Sequence, residues 1–273
     1  MTEENLQKRQ RNNKTGENTK KTVKRNVKKD NTKEKSKKQN TKGETKKTTR
    51  AVKTQKINNQ EKSKNTRKAR ENKKSIFKAS KLKIIPLGGL HEIGKNITVF
   101  EYENEIVIVD CGLSFPEDDM LGIDLVIPDI TYLEKNVDKI KGLVITHGHE
   151  DHIGSIPYLL KKINVPIYAT KLTVGLIKNK LEEHKLIRTT KLNEVKQGDK
   201  IKLGKNFEIE FIRSTHSIPD SVMLGITTPA GTVLHTGDFK VDFTPIDGKI
   251  MDFGRIAELG GQGILALMSD STN

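Results

Sequence analysis

Three histidines and two acids fall within six residues of this chain. The stretch VITHGHEDHIG, residues 144–154, places His147, His149, Asp151 and His152 directly after a run of branched apolar residues. Each buried polar tip needs a partner, so packing alone does not favour such crowding. In an extended segment, residues two apart point to the same side, so His147 and His149 present their rings together. Gly148 between them lets the backbone pass close to a bound ion. Asp151 and His152 fall at the start of the next helix, where the helix dipole favours a carboxylate. Imidazole and carboxylate together suit Zn²⁺ or a similar divalent ion. One pair of ligands therefore serves one ion and the second pair another. His216 completes the first set, and Asp238 is placed to bridge. Two such ions, roughly 3.5–4 Å apart, hold a hydroxide and clamp a phosphoryl oxygen during an in-line displacement. The bland alternative is a polar turn that binds nothing.

The remaining titratable residues carry less. Asp110, His216 and Asp238 each end an apolar strand, and strand ends of an α/β layer structure converge on one edge where ligand sites form. His235 lies three before Asp238 and either points away or hydrogen-bonds to a ligand rather than to the ion. His184, in KLEEHKL, reads as a surface or capping residue. His91, in GGLHEIG, either lines the cleft or is structural. The lone Cys111 follows a strand and reads as a small core residue, not a nucleophile. The glycines of LGGLHEIG do not fit a dinucleotide fingerprint. Neither a GxSxG nor a P-loop pattern occurs.

The elements that must position these residues alternate between strand and helix. KLKIIPLGG reads as a strand ending in a glycine turn, and NITVFEY and EIVIVDCG as two strands joined by ENE. The spacing predicts a helix over 129–142 with Gly142 as its stop, a short strand into the histidines, and a helix over 151–164. A strand (166–170) and an amphipathic helix (171–186) follow. Two strands over 200–217, a hairpin around PAG within 221–240, and a strand at 264–273 complete the pattern.

Charge divides the chain. Residues 1–80 hold 28 Lys+Arg against 8 Asp+Glu, and residues 81–273 hold 22 against 27. The first segment, rich in Lys, Asn and Thr, has too little apolar surface to offset the entropy of ordering. It reads as a disordered basic tail, either an electrostatic arm for RNA or another polyanion or a solubilising extension. It has no apolar core of a secretory signal, and no run of the chain is apolar enough to span a membrane. With a single cysteine, these features point to a cytoplasmic protein. Residues 81–273 suffice for one domain.

THGHEDHIG resembles the HxHxDH signature of the metallo-β-lactamase superfamily. PLGGLHEIGKN, VDCGLSFPEDDMLGIDLVIPDITYL, RSTHSIPDS, HTGDFKVDFTP and SDSTN together resemble the ribonuclease J family, β-CASP nucleases of bacteria. The resemblance runs from about Lys83 to the last residue. It implies an α/β four-layer αβ/βα sandwich, incomplete here, with two Zn²⁺ per subunit; Mn²⁺ and Mg²⁺ are the alternatives. His147, His149 and His216 would hold one ion, Asp151 and His152 the other, with Asp238 shared. Asp110 would orient the ligand loop. Ser217, Ser221, Ser271 and Thr272 would lie at the site edge, with Ser271 or Thr272 near a phosphate. A further ligand histidine, the β-CASP domain with its 5′-monophosphate pocket, and a C-terminal domain would follow residue 273.

The implied activity is hydrolysis of RNA phosphodiesters, 5′→3′ and internally, in RNA maturation and decay. Asp151 would hold or deprotonate the attacking water, with Asp238 beside it. The implied partners are 5′-monophosphorylated RNA, further copies in a homodimer or homotetramer, and an RNA-degradation complex. Two other readings remain: another hydrolase of the superfamily, acting on a thioester or lactone, or a non-catalytic RNA-binding scaffold.

Overall fold

The computed structural model describes residues 80–271. The expected basic tail, apart from Ser80, lies outside the described residues, as does Thr272. The first sheet has six strands in sequence order: β1 (Leu82–Gly88), β2 (Ile97–Tyr102), β3 (Glu105–Val109), β4 (Ile140–Val144), β5 (Ile167–Thr170) and β6 (Leu192–Val195). β1, β2 and β3 pair antiparallel, and β3 through β6 run parallel. The second sheet orders β11 (Ala266–Met268), β10 (Gly231–His235), β9 (Val222–Thr228), β8 (Phe207–Arg213) and β7 (Lys200–Leu203). All its pairs are antiparallel except β10 with β11.

Alternation along the strands separates three apolar layers. Ile106 and Ile108 of β3 face one cluster with Leu143, Ile156, Ile177 and Leu181. Val107 and Val109 face the opposite cluster with Phe100, Phe211, Leu224 and Val233. The first cluster lies beneath α3 (Ile156–Leu160) and α4 (Lys171–Glu183), and the second fills the space between the sheets. A third cluster packs Leu259 of α5 (Phe253–Gln262) against Ile212, Met223 and Leu234, on the outside of the second sheet. The order helix, sheet, sheet, helix is the expected four-layer sandwich. Strands buried on both faces read as continuous apolar runs, because neither face is left to water.

Two predicted helices are shorter than their apolar spacing suggested. Over 129–142 only α1 (Thr131–Glu134) and one 3-10 turn (Val137–Lys139) form. Ile140 leaves the helical path to pair with Ile106, and Gly142 sits inside β4 opposite Val107 rather than stopping a helix. The predicted helix over 151–164 is split into α2 (Glu150–Ile153) and α3, broken near Gly154 and Pro157. Proline lacks the N–H that would continue the first helix into the second. β6 and α5 were not foreseen. The Asp252 side chain caps α5 by accepting from Arg255 N at 3.0 Å.

Arg255 also ties α5 to β8. Its guanidinium donates to both oxygens of Glu210, at 2.6 and 2.9 Å, and Lys200 stands 3.2 Å from the same carboxylate. Burial pushes the Glu210 carboxyl up, but the hydrogen bonds from Arg255 and Lys200 outweigh it and hold it below its ordinary range. A depressed carboxyl contributes stability that is present above its unfolded pKa, near 4.3, and lost as pH falls through the folded value. Arg255→Ala is expected to lower unfolding free energy by about 2 kcal/mol at pH 7. The loss should shrink below about pH 4, where Glu210 protonates in both forms. Denaturant melts of both proteins from pH 7 to 3 measure this.

Candidate metal centre

The two sheets bring the candidate residues to one end of the sandwich. Asp110 is the first residue after β3 and takes a left-handed backbone, φ 58°. That turn aims its buried carboxylate across the sheet at β4. Oδ1 accepts from Thr146 N at 2.8 Å, and Oδ2 accepts from Thr146 Oγ1 and from His152 Nδ1, each at 2.8 Å. Thr146 has then used its only hydroxyl hydrogen, so its oxygen accepts from Nδ1 of His147, 3.0 Å away. This accounting fixes the His147 tautomer and leaves its Nε2 as a bare lone pair.

That nitrogen faces three further candidate ligand atoms. His147 Nε2 and His216 Nε2 each lie 3.1 Å from His149 Nδ1, and Asp238 Oδ2 stands 3.9 and 3.7 Å from the first two. Burial, then the neighbouring His152, hold His147 well below the ordinary histidine range; the nearby Asp238 opposes this. Burial likewise lowers His216. Burial thus disfavours protons on His147 and His216, the two rings whose Nε2 atoms flank His149 Nδ1.

A second group sits beside the first. His152 Nε2 is 3.2 Å from Asp238 Oδ1 and 3.4 Å from Asp151 Oδ2. Burial disfavours charge on His152, but Asp110, Asp151 and Asp238 outweigh it and raise its pKa well above the ordinary value. Without a cation, those three carboxylates hold a proton on this ring. Within each group the ligand atoms all lie within 4.8 Å of one another, and Asp238 belongs to both through opposite oxygens. Converging imidazole nitrogens and carboxylate oxygens, starved of protons on one side and drawing positive charge on the other, are compatible with divalent metal.

Close backbone contacts hold the Asp151 loop. Asn96 N donates to Asp151 O, Gly112 N to Asn96 O, and Cys111 N to His152 O, at 3.0, 3.0 and 2.8 Å. A Cβ on Gly112 would stand 1.5 Å from Asp151 O, so no other residue fits. At Gly148 a Cβ would meet Leu176 Cδ1 at 2.5 Å, so the missing side chain also leaves room for α4.

The other expected residues are dispersed. His235 joins neither group; its Nδ1 accepts from Gly237 N at 3.1 Å, and burial lowers its pKa. It lines the same cleft of about 270 Å³ as Asp151, His152, Asp238 and Ser271. Ser217 is exposed and lines a different cleft on the His216 side. Ser221, expected at the site edge, is instead buried with its hydroxyl donating to Ile218 O at 2.9 Å, because it closes the 218–221 turn. His91 borders an opening next to Asp151. His184 ends α4 with its ring against Tyr158.

Sequence reading missed two residues. Thr146 sets the His147 tautomer, and its only signal was adjacency to the motif. Asn96 Nδ2 lies 3.1 Å from both Asp151 Oδ2 and His152 Nε2. Its partners are 55 and 56 positions away, so only the GKN turn before β2 hinted at it.

The chain is similar to three curated proteins named ribonuclease J or ribonuclease J 1. It is 56% identical to that of Synechocystis sp. over 193 residues, 70% of this chain and 30% of the relative. For Streptococcus pyogenes serotype M3 the figures are 53% over 197 residues, 72% and 35%. For Thermus thermophilus they are 50% over 198 residues, 70% and 35%. The chain thus spans about a third of the length of these relatives. Among the described residues no helix is long and apolar enough to cross a membrane. A family model described as the metallo-beta-lactamase superfamily matches residues 92–262, which take in β2 through β10 and every residue of the two donor groups, and the chain belongs to that superfamily.

Proposed function

We propose that this chain is the metal-holding part of a zinc-dependent ribonuclease that hydrolyses RNA phosphodiesters, from 5′-monophosphorylated ends and internally. The observation that carries the reading is Asp238, which gives one carboxylate oxygen to each of two donor groups. Its support is the similarity to proteins named ribonuclease J. His147, His149 and His216 would hold one ion and Asp151 and His152 the other, with Asp238 serving both groups; Mn²⁺ or Mg²⁺ could stand in for Zn²⁺. When bound, such a pair supplies Lewis-acid polarisation of a phosphoryl oxygen and activates water near neutral pH.

The protein's own part is orientation and proton handling. Thr146 Oγ1 takes the Nδ1 hydrogen of His147, and Asp110 Oδ2 takes that of His152, so both rings turn Nε2 to the site. Asp151 Oδ2 faces the cleft beside Asn96 and is the acceptor for the proton of the attacking water. Burial raises the Asp151 carboxyl, but His152 outweighs it, so Asp151 is ionised at neutral pH. Ser271 borders the same cleft and, with Thr272 after it, is assigned to the substrate phosphate; Ser217 is assigned to RNA on the His216 side. The working protein is a cytoplasmic homodimer or homotetramer, within an RNA-degradation complex.

The test is metal content together with hydrolysis of 5′-phosphorylated RNA by the full-length protein. About two ions per chain and loss of hydrolysis on chelation, restored by Zn²⁺, are expected. Cleavage indifferent to chelation, or faster cleavage of a thioester, refutes the reading. Thr146→Val tests the orientation. It keeps the shape but deletes the shared hydroxyl, and should weaken zinc affinity by about 10–100-fold, with Thr146→Ser restoring most of it. Competition against a fluorescent chelator measures both.

A further inference from the structure

A second cavity lies behind the loop that carries Asp151 and His152, away from the donor groups. Its volume is about 310 Å³, in the range of small-ligand sites. Ile127, Pro128, Ile130 and Leu159 supply apolar walls, and the deeply buried Cys111 and Ser155 close the inner end. Ser155 is the feature that calls for a ligand. It occupies the N-cap position of α3 yet makes no capping bond, and its Oγ is buried without a hydrogen-bond partner. A buried hydroxyl left unpaired costs about 1–3 kcal/mol, so an acceptor that reached it would be favoured.

The rim adds a charge preference. Lys161 Nζ lies 5.1 Å from the centre of the Tyr158 ring and forms no ion pair among the described residues. Lys162, beside it, is taken by Glu134 at 2.7 Å. The one rim carboxylate, Asp129, turns Oδ1 to accept from Thr131 N at 2.8 Å. Lys161 is therefore the available charge. The backbone links the inner end to the first site: Ser155 N donates to Cys111 O, and Cys111 N donates to His152 O, at 2.9 and 2.8 Å.

We propose that this cavity is an effector site for a small molecule with an apolar body and an anionic end. An acceptor atom at its inner end takes the Ser155 hydroxyl hydrogen, and its anionic end pairs with Lys161. An occupant bearing on Ser155 bears, through Cys111, on the backbone that holds His152, so binding is felt at the metal-holding loop.

Titrating the ¹⁵N-labelled chain with 4-phenylbutyrate tests this, with 4-phenylbutanol as the uncharged counterpart. Saturable shifts are expected at the amides of Cys111, Ser155, Tyr158 and Lys161, with a smaller linked shift at His152. The alcohol should bind at least about tenfold more weakly, and Lys161→Glu should weaken the carboxylate by a similar factor while leaving the alcohol unchanged. Ser155→Leu, which fills the inner end, should abolish both. Shifts that do not saturate, that centre on the Asp238 cleft, or that survive Lys161→Glu unchanged overturn the proposal. Should the leucine variant fail to fold, the exposed Lys161 decides alone.

Discussion

Asp238→Ala is expected to lower metal content from about two ions per chain to below one, and RNA hydrolysis by at least about 10³-fold, or about 4 kcal/mol of barrier. The size follows from position. Every other candidate ligand serves one donor group, whereas Asp238 stands 3.2 Å from His152 through Oδ1 and 3.7 Å from His216 through Oδ2. Removing it also strips the negative charge that offsets repulsion among the clustered imidazoles. His149→Ala, confined to one group, should cost less metal. Elemental analysis after dialysis, beside RNA cleavage under single-turnover conditions, separates the two. If Asp238→Ala keeps both ions, the shared-carboxylate reading fails.

Gly112→Ala should be nearly as damaging without touching a ligand. The added methyl would stand 1.5 Å from Asp151 O and 2.0 Å from its carbonyl carbon, and these are backbone atoms with no rotamer to yield. The 150–152 segment must then move, and with it the carboxylate and ring it carries. We expect a loss of about 3 kcal/mol or more in stability, with zinc affinity falling at least as steeply as for Thr146→Val. Thermal melts in chelator report the first, and zinc competition the second. A control at Gly175, where an added Cβ meets nothing within 4 Å, should leave both unchanged or slightly improved.

Local spacing made much of this legible. The four motif residues sit within six positions, and their common destination could be read before any fold was known. The expectation that Asp110, His216 and Asp238 each end a strand was less exact: Asp110 directly follows β3, but His216 and Asp238 each lie three residues past the ends of β8 and β10. The hydrophobic strands were equally plain, because burial on both faces leaves long apolar runs. What escaped notice depended on distant partners. β6, LNEV, is half polar and is a strand only because β5 pairs with it. α5 carries three glycines and is held by Leu259 against the second sheet and by Arg255 on Glu210. Residues 130–140 have apolar spacing at 130, 133, 137 and 140, yet Ile140 gains more from β3 than from another helical turn. Asn96 is polar beside a strand, and nothing in one dimension connects it with Asp151.

The donors come from opposite halves of the sandwich: His147, His149, Asp151 and His152 follow β4, while His216 and Asp238 extend from β8 and β10. An ion gripped by both halves acts as a staple through one end of the interface, and heat resistance of the loaded protein then measures staple and grease together. Only the stripped form reveals how firmly Phe100, Phe211 and Leu224 keep the halves from sliding.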